Sequence, residues 1–318
     1  MIMIKKYNYY LLLSCLCFLF CSCEKEENVL SRNDDYLLIN SETYSVEQSK
    51  MKFWLEFLCS SKCEGRKSGT KGNKIAREFI ISELKNMSYR PTVQKAKDSS
   101  NRDYYNIIVN IDNKSDKTII VGAHYDGAVE SYRYPAANDN ASGVSSLLLL
   151  ADLLAEHNED QIYNYQLVFF DGEETQKNGV SFNGSRFFVS TLTKNPLFYL
   201  NIDMIGNGEM LHRIETTSDY LFTCIKEISE RHRKLELEID NKIVNYSQDF
   251  VPFDEVDIPI FTWKNPLKSN QGQYNHTPDD MMKHLSLDKM EIITRINYEL
   301  ITFHFAQVIF KNKTEVGN

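Results

Sequence analysis

Histidines and carboxylates recur in this chain where apolar runs end. His124 and Asp126 follow the run 118–123, Glu173 and Glu174 follow 166–170, and Asp203 follows 197–202. Asp139 precedes a strongly apolar stretch that opens at Asn140 or Ala141, and His276 stands in the segment Tyr274-Asn275-His276-Thr277-Pro278. Imidazole nitrogen and carboxylate oxygen are competent zinc ligands without any thiolate, and a further carboxylate beside them can move protons. Taken singly, each residue has a plainer use. His124 and Asp126 share one face of an extended segment, where a His–Asp hydrogen bond is ordinary. Asn138-Asp139-Asn140 suits a helix N-cap, Glu173-Glu174 a solvated loop, Asp203 a turn, and His276 a surface loop. Their repetition at strand exits favours convergence, because open α/β sheets bind ligands outside the carboxyl ends of their strands.

The elements that must position these groups are read from hydrophobic periodicity. Residues 46–58 form an amphipathic helix with Val46, Phe53, Leu55 and Leu58 inward, and residues 73–87 a second with Ile75, Phe79, Ile80 and Leu84 inward. Strands are expected at 104–111, 118–123, 166–170, 197–202, 210–214 and 258–263. Helices are expected from Asn140 or Ala141 to Leu154, and over 181–192, 220–233 and 287–310. Strands alternating with helices define an α/β class: one domain, 46–318, with a mixed, mostly parallel sheet and helices on both faces. The uninterrupted apolar runs 167–170 and 258–261 suit strands covered on both sides.

Composition narrows the function. The 318 residues carry 42% hydrophobic and 25% charged side chains, enough for a core and against wholesale disorder. A formal charge of -8 argues against nucleic acid as a partner. Lys5 and Lys6 precede an apolar run at 9–20, shorter than the ~20 residues of a membrane span, so residues 1–22 are read as a secretory signal. Phe20-Cys21-Ser22-Cys23 resembles a bacterial lipobox, with Phe20 where Leu is usual. That resemblance implies an acylated Cys23, a polar tether over 23–45, and an outer-membrane lipoprotein of the bacterial cell envelope. Glu24-Lys25-Glu26-Glu27 faintly resembles a surface-export tag, so the chain would face the periplasm or the cell surface. Cys15 and Cys17 also belong to the leader; Cys59, Cys63 and Cys224 remain, with no zinc spacing among them. For Cys59 and Cys63, a disulfide and a pair of buried thiols both fit.

Five ordered segments carry a family resemblance: Gly122-Ala123-His124-Tyr125-Asp126-Gly127, Ala137-Asn138-Asp139-Asn140-Ala141-Ser142-Gly143-Val144, Phe170-Asp171-Gly172-Glu173-Glu174, Leu200-Asn201-Ile202-Asp203-Met204 and His276-Thr277-Pro278-Asp279-Asp280. Their succession resembles the co-catalytic zinc exopeptidases of the bacterial leucyl aminopeptidase type, related to glutamate carboxypeptidase II. Upstream, Gly65-Arg66-Lys67-Ser68-Gly69-Thr70 resembles the amino-terminal segment of that family. The resemblance implies the zinc-exopeptidase fold, peptide substrates and two zinc ions. One ion would be held by His124 and Asp203 and the other by Glu174 and His276, with Asp139 bridging both. Asp126 would accept the other ring N–H of His124, and Glu173 would be the general base. An aminopeptidase is the leading expectation. A glutaminyl cyclase, a catalytically dead binding module like the transferrin receptor relatives, and a carboxypeptidase using Arg133 or Lys264 as its carboxylate clamp are the rivals. Residues 246–253 and 264–274 are expected to line the substrate pocket.

Overall fold

Aromatic and β-branched runs make the middle of one twisted sheet. The computed structural model describes residues 44–98, 101–128, 134–157, 161–174, 181–208, 212–264 and 274–304. The leader with Cys23, Arg133, residues 265–273 and the expected end of the last helix beyond 304 lie outside the described residues. Among the described residues, eight strands pair in the order β1-β2-β4-β3-β5-β8-β6-β7. They are β1 Thr92–Lys97, β2 Asp103–Ile111, β3 Thr118–His124, β4 Asn164–Phe170, β5 Tyr199–Asn201, β6 His212–Thr216, β7 Leu237–Asp240 and β8 Ile260–Lys264. The central four, β4-β3-β5-β8, are mutually parallel. The β1/β2, β2/β4 and β6/β8 pairs are antiparallel, and the outer pair β6/β7 is parallel.

Strand alternation divides the core between the two faces. Val121, Leu167, Phe169 and Leu200 belong to the larger cluster, packed with side chains of α1 Val46–Leu58, α2 Lys71–Asn86, α3 Ser142–Glu156, α5 Asp219–Arg231 and α7 Leu287–Glu299. Ile120, Val168, Phe170 and Tyr199 point the other way, into a smaller aromatic cluster that includes Phe188 of α4 Asn183–Ser190 and Phe253 of α6 Val251–Asp254. Tyr199 and Phe253 stack with ring centroids 3.8 Å apart. Helices therefore cover both faces, as an apolar parallel centre requires. None of the helices among the described residues is long and apolar enough to cross a membrane.

From β3 the chain crosses through α3 to β4 on one side, then through α4 to β5 on the other. That reversal beside β3 is the switch point at which the strand exits leave a crevice. His124 is the last residue of β3, the Glu173-Glu174 loop follows β4, and Asp203 follows β5.

Several elements differ from their sequence reading for identifiable reasons. In α1 the buried stripe is Met51, Trp54, Leu55 and Leu58, whereas Val46 is 69% and Phe53 52% exposed. Phe53 lies two residues from Leu55, about 200° around the helix, and so faces away from the sheet. Ile75 and Phe79 flank the inward row Ala76, Ile80 and Leu84 and are only half-buried. The edge strand β1 escaped the reading because it carries no apolar alternation, and β7 was passed over although Leu235, Leu237 and Ile239 alternate with acids. β1 buries Ala96 alone, and β7 buries no residue fully. Such polar edges are what keeps a sheet from pairing with other chains. Cys59, Cys63 and Cys224 are buried free thiols, which decides the first pair against a disulfide.

Leu55→Ala should cost about 2–5 kcal/mol, the range for emptying a sealed core site, while Phe53→Ala on the same helix should cost less than about 1 kcal/mol. Urea denaturation of both variants checks the helix's rotation, and equal losses would contradict it.

Candidate metal centre

Asp139 sits in an irregular turn, Ala137–Ala141, immediately before α3. The turn is held from several sides. Asp280 accepts the backbone N–H groups of Asn138 at 2.7 Å and Asp139 at 3.0 Å. Arg66, wholly buried, donates to four backbone carbonyls and pairs with no carboxylate among the described residues: Leu58 at 2.7 Å, Tyr125 at 2.9 Å, and Pro135 and Ala136 at 2.8 Å. Asn140 donates to the Ile202 carbonyl at 3.0 Å, and its own side-chain oxygen accepts Gly143 N–H at 2.9 Å and Met204 N–H at 3.2 Å. A Cβ on Gly143 would lie 2.4 Å from both Asn140 Oδ1 and the Ile202 carbonyl, so only glycine allows this approach of α3 to the end of β5.

These supports bring the expected residues together. His124 Nε2 is 3.2 Å from Asp139 Oδ1 and 3.5 Å from Asp203 Oδ1. His276 Nε2 is 3.3 Å from Asp139 Oδ2 and 3.1 Å from Glu174 Oε2. Two triads result, His124/Asp139/Asp203 and Asp139/Glu174/His276, with ligand atoms within 4.8 Å of one another in each. Asp139 offers one oxygen to each. His124, Asp139, Glu173, Glu174 and Asp203 are buried, whereas His276 reaches in from an exposed loop. Glu173 joins neither triad.

Asp126 departs from expectation. His124 Nδ1 lies 3.1 Å from the backbone carbonyl of Asp126 and 3.7 Å from its carboxylate, so the carbonyl fixes the ring. The carboxylate instead accepts the N–H of Glu173 at 3.1 Å and of Glu174 at 3.3 Å. Those two N–H groups follow the end of β4 and are buried, and an acidic side chain across the crevice satisfies them. Asp126 thus positions the acidic loop as well as the imidazole. Behind it, Ser68 donates to Asp171 at 2.6 Å, and Asp171 also accepts Asn73 Nδ2 and Tyr105 N–H, each at 3.0 Å.

Two supporting residues, Arg66 and Asp280, had no role in the sequence reading, and a third, Gln248, was expected only as part of the pocket-lining segment 246–253. Arg66 and Asp280 stood inside quoted motifs, but their contacts are to backbone groups that no pattern displays. Gln248 donates to Asp203 Oδ2 at 2.7 Å, while its oxygen accepts Thr262 Oγ1 at 2.9 Å. Of the segment 246–253, Tyr246, Ser247 and Gln248 line the cavity over the site, while Phe250 and Phe253 turn into the smaller core. Lys264 and Asn275 also line that cavity, whose volume is about 570 Å³.

The electrostatics call for bound cations. Burial pushes the Glu173 carboxyl well above the usual carboxylate range, against the pull of His124 and with help from Glu174, Asp249 and Asp203. Burial and the Asp139 charge raise Glu174 to about 7. His124, which burial alone would leave neutral, is instead raised well above its usual value by the surrounding carboxylates of Glu173, Asp126, Asp139 and Asp203. Hydrogen bonds to Asp139 and Glu174 raise His276 to about 11. Protons thus supply the positive charge that a metal would replace. Among the described residues, buried Asp203 Oδ1 has no hydrogen-bond donor and faces only His124 Nε2 at 3.5 Å, as a coordinating oxygen would be left. An all-nitrogen-and-oxygen donor set with one shared carboxylate fits zinc.

Fold and site together fit a zinc-binding family. The chain belongs to peptidase family M28, whose sequence profile matches residues 106–301. It is 27% identical over 199 residues to the aminopeptidase YwaD of Bacillus subtilis (strain 168), covering 58% of this chain and 41% of that one. The chain therefore spans well under half of that relative's length. It shares its fold with a Zn-dependent exopeptidase from Parabacteroides distasonis ATCC 8503 (TM-score 0.66, 18% identity, 81% of this chain and 97% of the other). The fold is shared equally with an Acidobacteriales bacterium glutaminyl cyclase (TM-score 0.69, 20% identity, 83% and 96%).

Metal-stripped protein should lose stability as pH rises. Burial lifts Glu174, Asp171, Asp249 and Asp280 to about 7 in the fold, against ~4 in an unfolded chain. A raised carboxyl stabilises the fold below the unfolded pKa and loses that contribution as pH climbs through the folded one. Between pH 4.5 and 7.5 the Tm of stripped protein should fall by at least about 4 °C, roughly 1–2 kcal/mol for this size, and zinc should flatten the slope. Calorimetry with chelator checks this, and a Tm that rises over the window would contradict it.

Proposed function

We propose that the chain is a secreted, lipid-anchored aminopeptidase that works with two zinc ions. The observation that carries this reading is Asp139, whose two oxygens serve two histidine–carboxylate sets. His124 and Asp203 would hold one ion, Glu174 and His276 the other, and Asp139 both. When bound, such a pair supplies Lewis-acid polarisation of the scissile carbonyl and a lowered pKa for the attacking water.

The remaining steps belong to the chain itself. Glu173, beside the triads but outside them, takes a proton from the water as it attacks and returns it to the departing amine. Its backbone is fixed by Asp126, so the carboxyl keeps its aim through the cycle. Gln248 orients Asp203, and Asp280 with Arg66 orients Asp139. The acidic walls of the cavity suit a free substrate amine, and the name of the Bacillus relative points the same way.

The likeness to a glutaminyl cyclase keeps a second reading in view. There the substrate's own amino-terminal amine would attack its side-chain amide and release ammonia, with no water consumed. The lipid anchor rests on the lipobox-like Phe20-Cys21-Ser22-Cys23 alone.

Free-amine peptides should be shortened from the amino terminus, amino-blocked ones spared, and chelator should abolish turnover, all followed by mass spectrometry. Glu173→Gln should keep its zinc and lose about 10²–10⁴ in kcat. Equal cleavage of blocked peptides, or cyclisation of an amino-terminal Gln without hydrolysis, would overturn the aminopeptidase reading. For the anchor, Cys23→Ala should move the protein from the membrane fraction to the soluble one and end fatty-acid labelling; labelling that persists would exclude Cys23 as its site.

A further inference from the structure

We propose that Lys264 forms a carboxylate-binding subsite in the wall of the active-site cavity, so that the enzyme favours peptides presenting a carboxylate there, foremost an amino-terminal Glu or Asp. This rests on the aminopeptidase reading and adds a substrate class to it.

Lys264 ends β8, which runs parallel beside β5, so it leaves the sheet on the same side as Asp203. The residue before it, Trp263, offers its carbonyl to Gln248 at 3.2 Å, the side chain that holds Asp203. Lys264 lines the same cavity as Glu173, Asp203 and His276, and among the described residues it is the one Lys or Arg to do so. Its side chain is only 8% exposed.

The ammonium is held in place rather than left to wander. It lies 3.3 Å from Glu215 Oε2, bonds the Asn245 carbonyl, and stands 4.8 Å above the Phe250 ring. An ammonium has three donors, so these two polar contacts leave one for a ligand.

Glu215 does not neutralise Lys264 alone. It also meets Arg213 at 3.1 Å, and Arg213 turns besides to Asp240 at 2.7 Å, a residue 37% exposed and therefore solvated. Arg213 and Lys264 thus share Glu215, while Asp240 gives Arg213 a second partner, so two cations face two anions and the Lys264 ammonium keeps a donor for the cavity. A ligand carboxylate would take that remaining donor in a charge-assisted hydrogen bond. A residue whose side chain projects from the reacting centre into this cavity could supply that carboxylate, and so could the carboxyl end of a short peptide.

The zinc-loaded enzyme is assayed on Glu, Asp, Leu and Ala anilides, which carry no carboxylate except the side chain. The acidic-to-neutral ratio of kcat/KM should fall at least tenfold in Lys264→Met, through KM. Lys264→Arg should keep most of the preference, and Lys264→Glu should shift it toward basic residues. A second arm compares Leu dipeptides with free and amidated carboxyl ends; a tenfold loss confined to the free ends would support the subsite with the peptide terminus as its ligand. Tm of each variant reports folding. Ratios unchanged in both arms, with neutral substrates still hydrolysed by the wild type, would overturn the subsite alone. If the wild type hydrolyses none of these, the aminopeptidase reading fails. Calorimetric titration of L-glutamate against L-leucine on wild type and Lys264→Met then decides the subsite: a Lys264-dependent preference for glutamate supports it, and equal binding overturns it.

Discussion

Negative charge gathered in a closed cleft governs the architecture of this protein. Asp139, Glu173, Glu174 and Asp203 are all buried at the exits of neighbouring strands. Carboxylates so placed repel one another, and burial raises the energy of each charged form. The metal-free protein answers with protons, drawing two imidazoles to unusually high basicity. A fold that holds such a cluster must fix its members tightly, or they would turn outward to water. Much of the molecule's polar interior serves that end.

The fixing is done largely by backbone groups. Arg66 spends its guanidinium on four carbonyls, tying the segment after α1 to the turn that carries Asp139. Asp280 holds the N–H groups of the same turn from the loop of His276, so the two carriers of the Asp139/His276 contact are braced against each other. Asn140 reaches across to the end of β5 and aligns Asp139 with Asp203. These braces couple loops that are far apart in sequence, which is why one crevice can be assembled from five separate segments. The parallel centre β4-β3-β5-β8 gives them a common rigid floor.

Much of this was legible beforehand, and the gaps have physical causes. Apolar runs marked the central strands, since burial on both faces leaves a nearly continuous hydrophobic signature. His124, Glu173, Glu174 and Asp203 were visible because each follows such a run, and Asp139 and His276 because they stand in the motifs that carry the family resemblance. The edge β1 left no signature, since a solvated edge places no demand on side-chain polarity, whereas β7 shows a short alternation from Leu235 to Asp240 that was overlooked. Phe53 misled because an aromatic residue reads as core, yet helix rotation turns it outward. Asp126 was recognised as important but given one partner too few. Its carboxylate serves the acidic loop, and only the strand geometry reveals which N–H groups lacked an acceptor. Arg66 was opaque because a contact to a backbone atom leaves no trace in residue type, and Gln248 because its partner Asp203 is remote in the chain.

By itself, the order of residues determined the α/β class, the chemistry available at the strand exits and membership in a motif-bearing family. Those properties follow from local polarity and from which side chains can donate to a cation, and both are written residue by residue. Tertiary structure alone decided that Asp139 faces two histidines at once, that the His124 ring leans on a carbonyl, and that Lys264 shares a cavity with the acidic cluster. Those facts depend on distances between segments up to 150 or so positions apart. Such distances are set by sheet register and by how the helices pack, and chain order does not encode them locally.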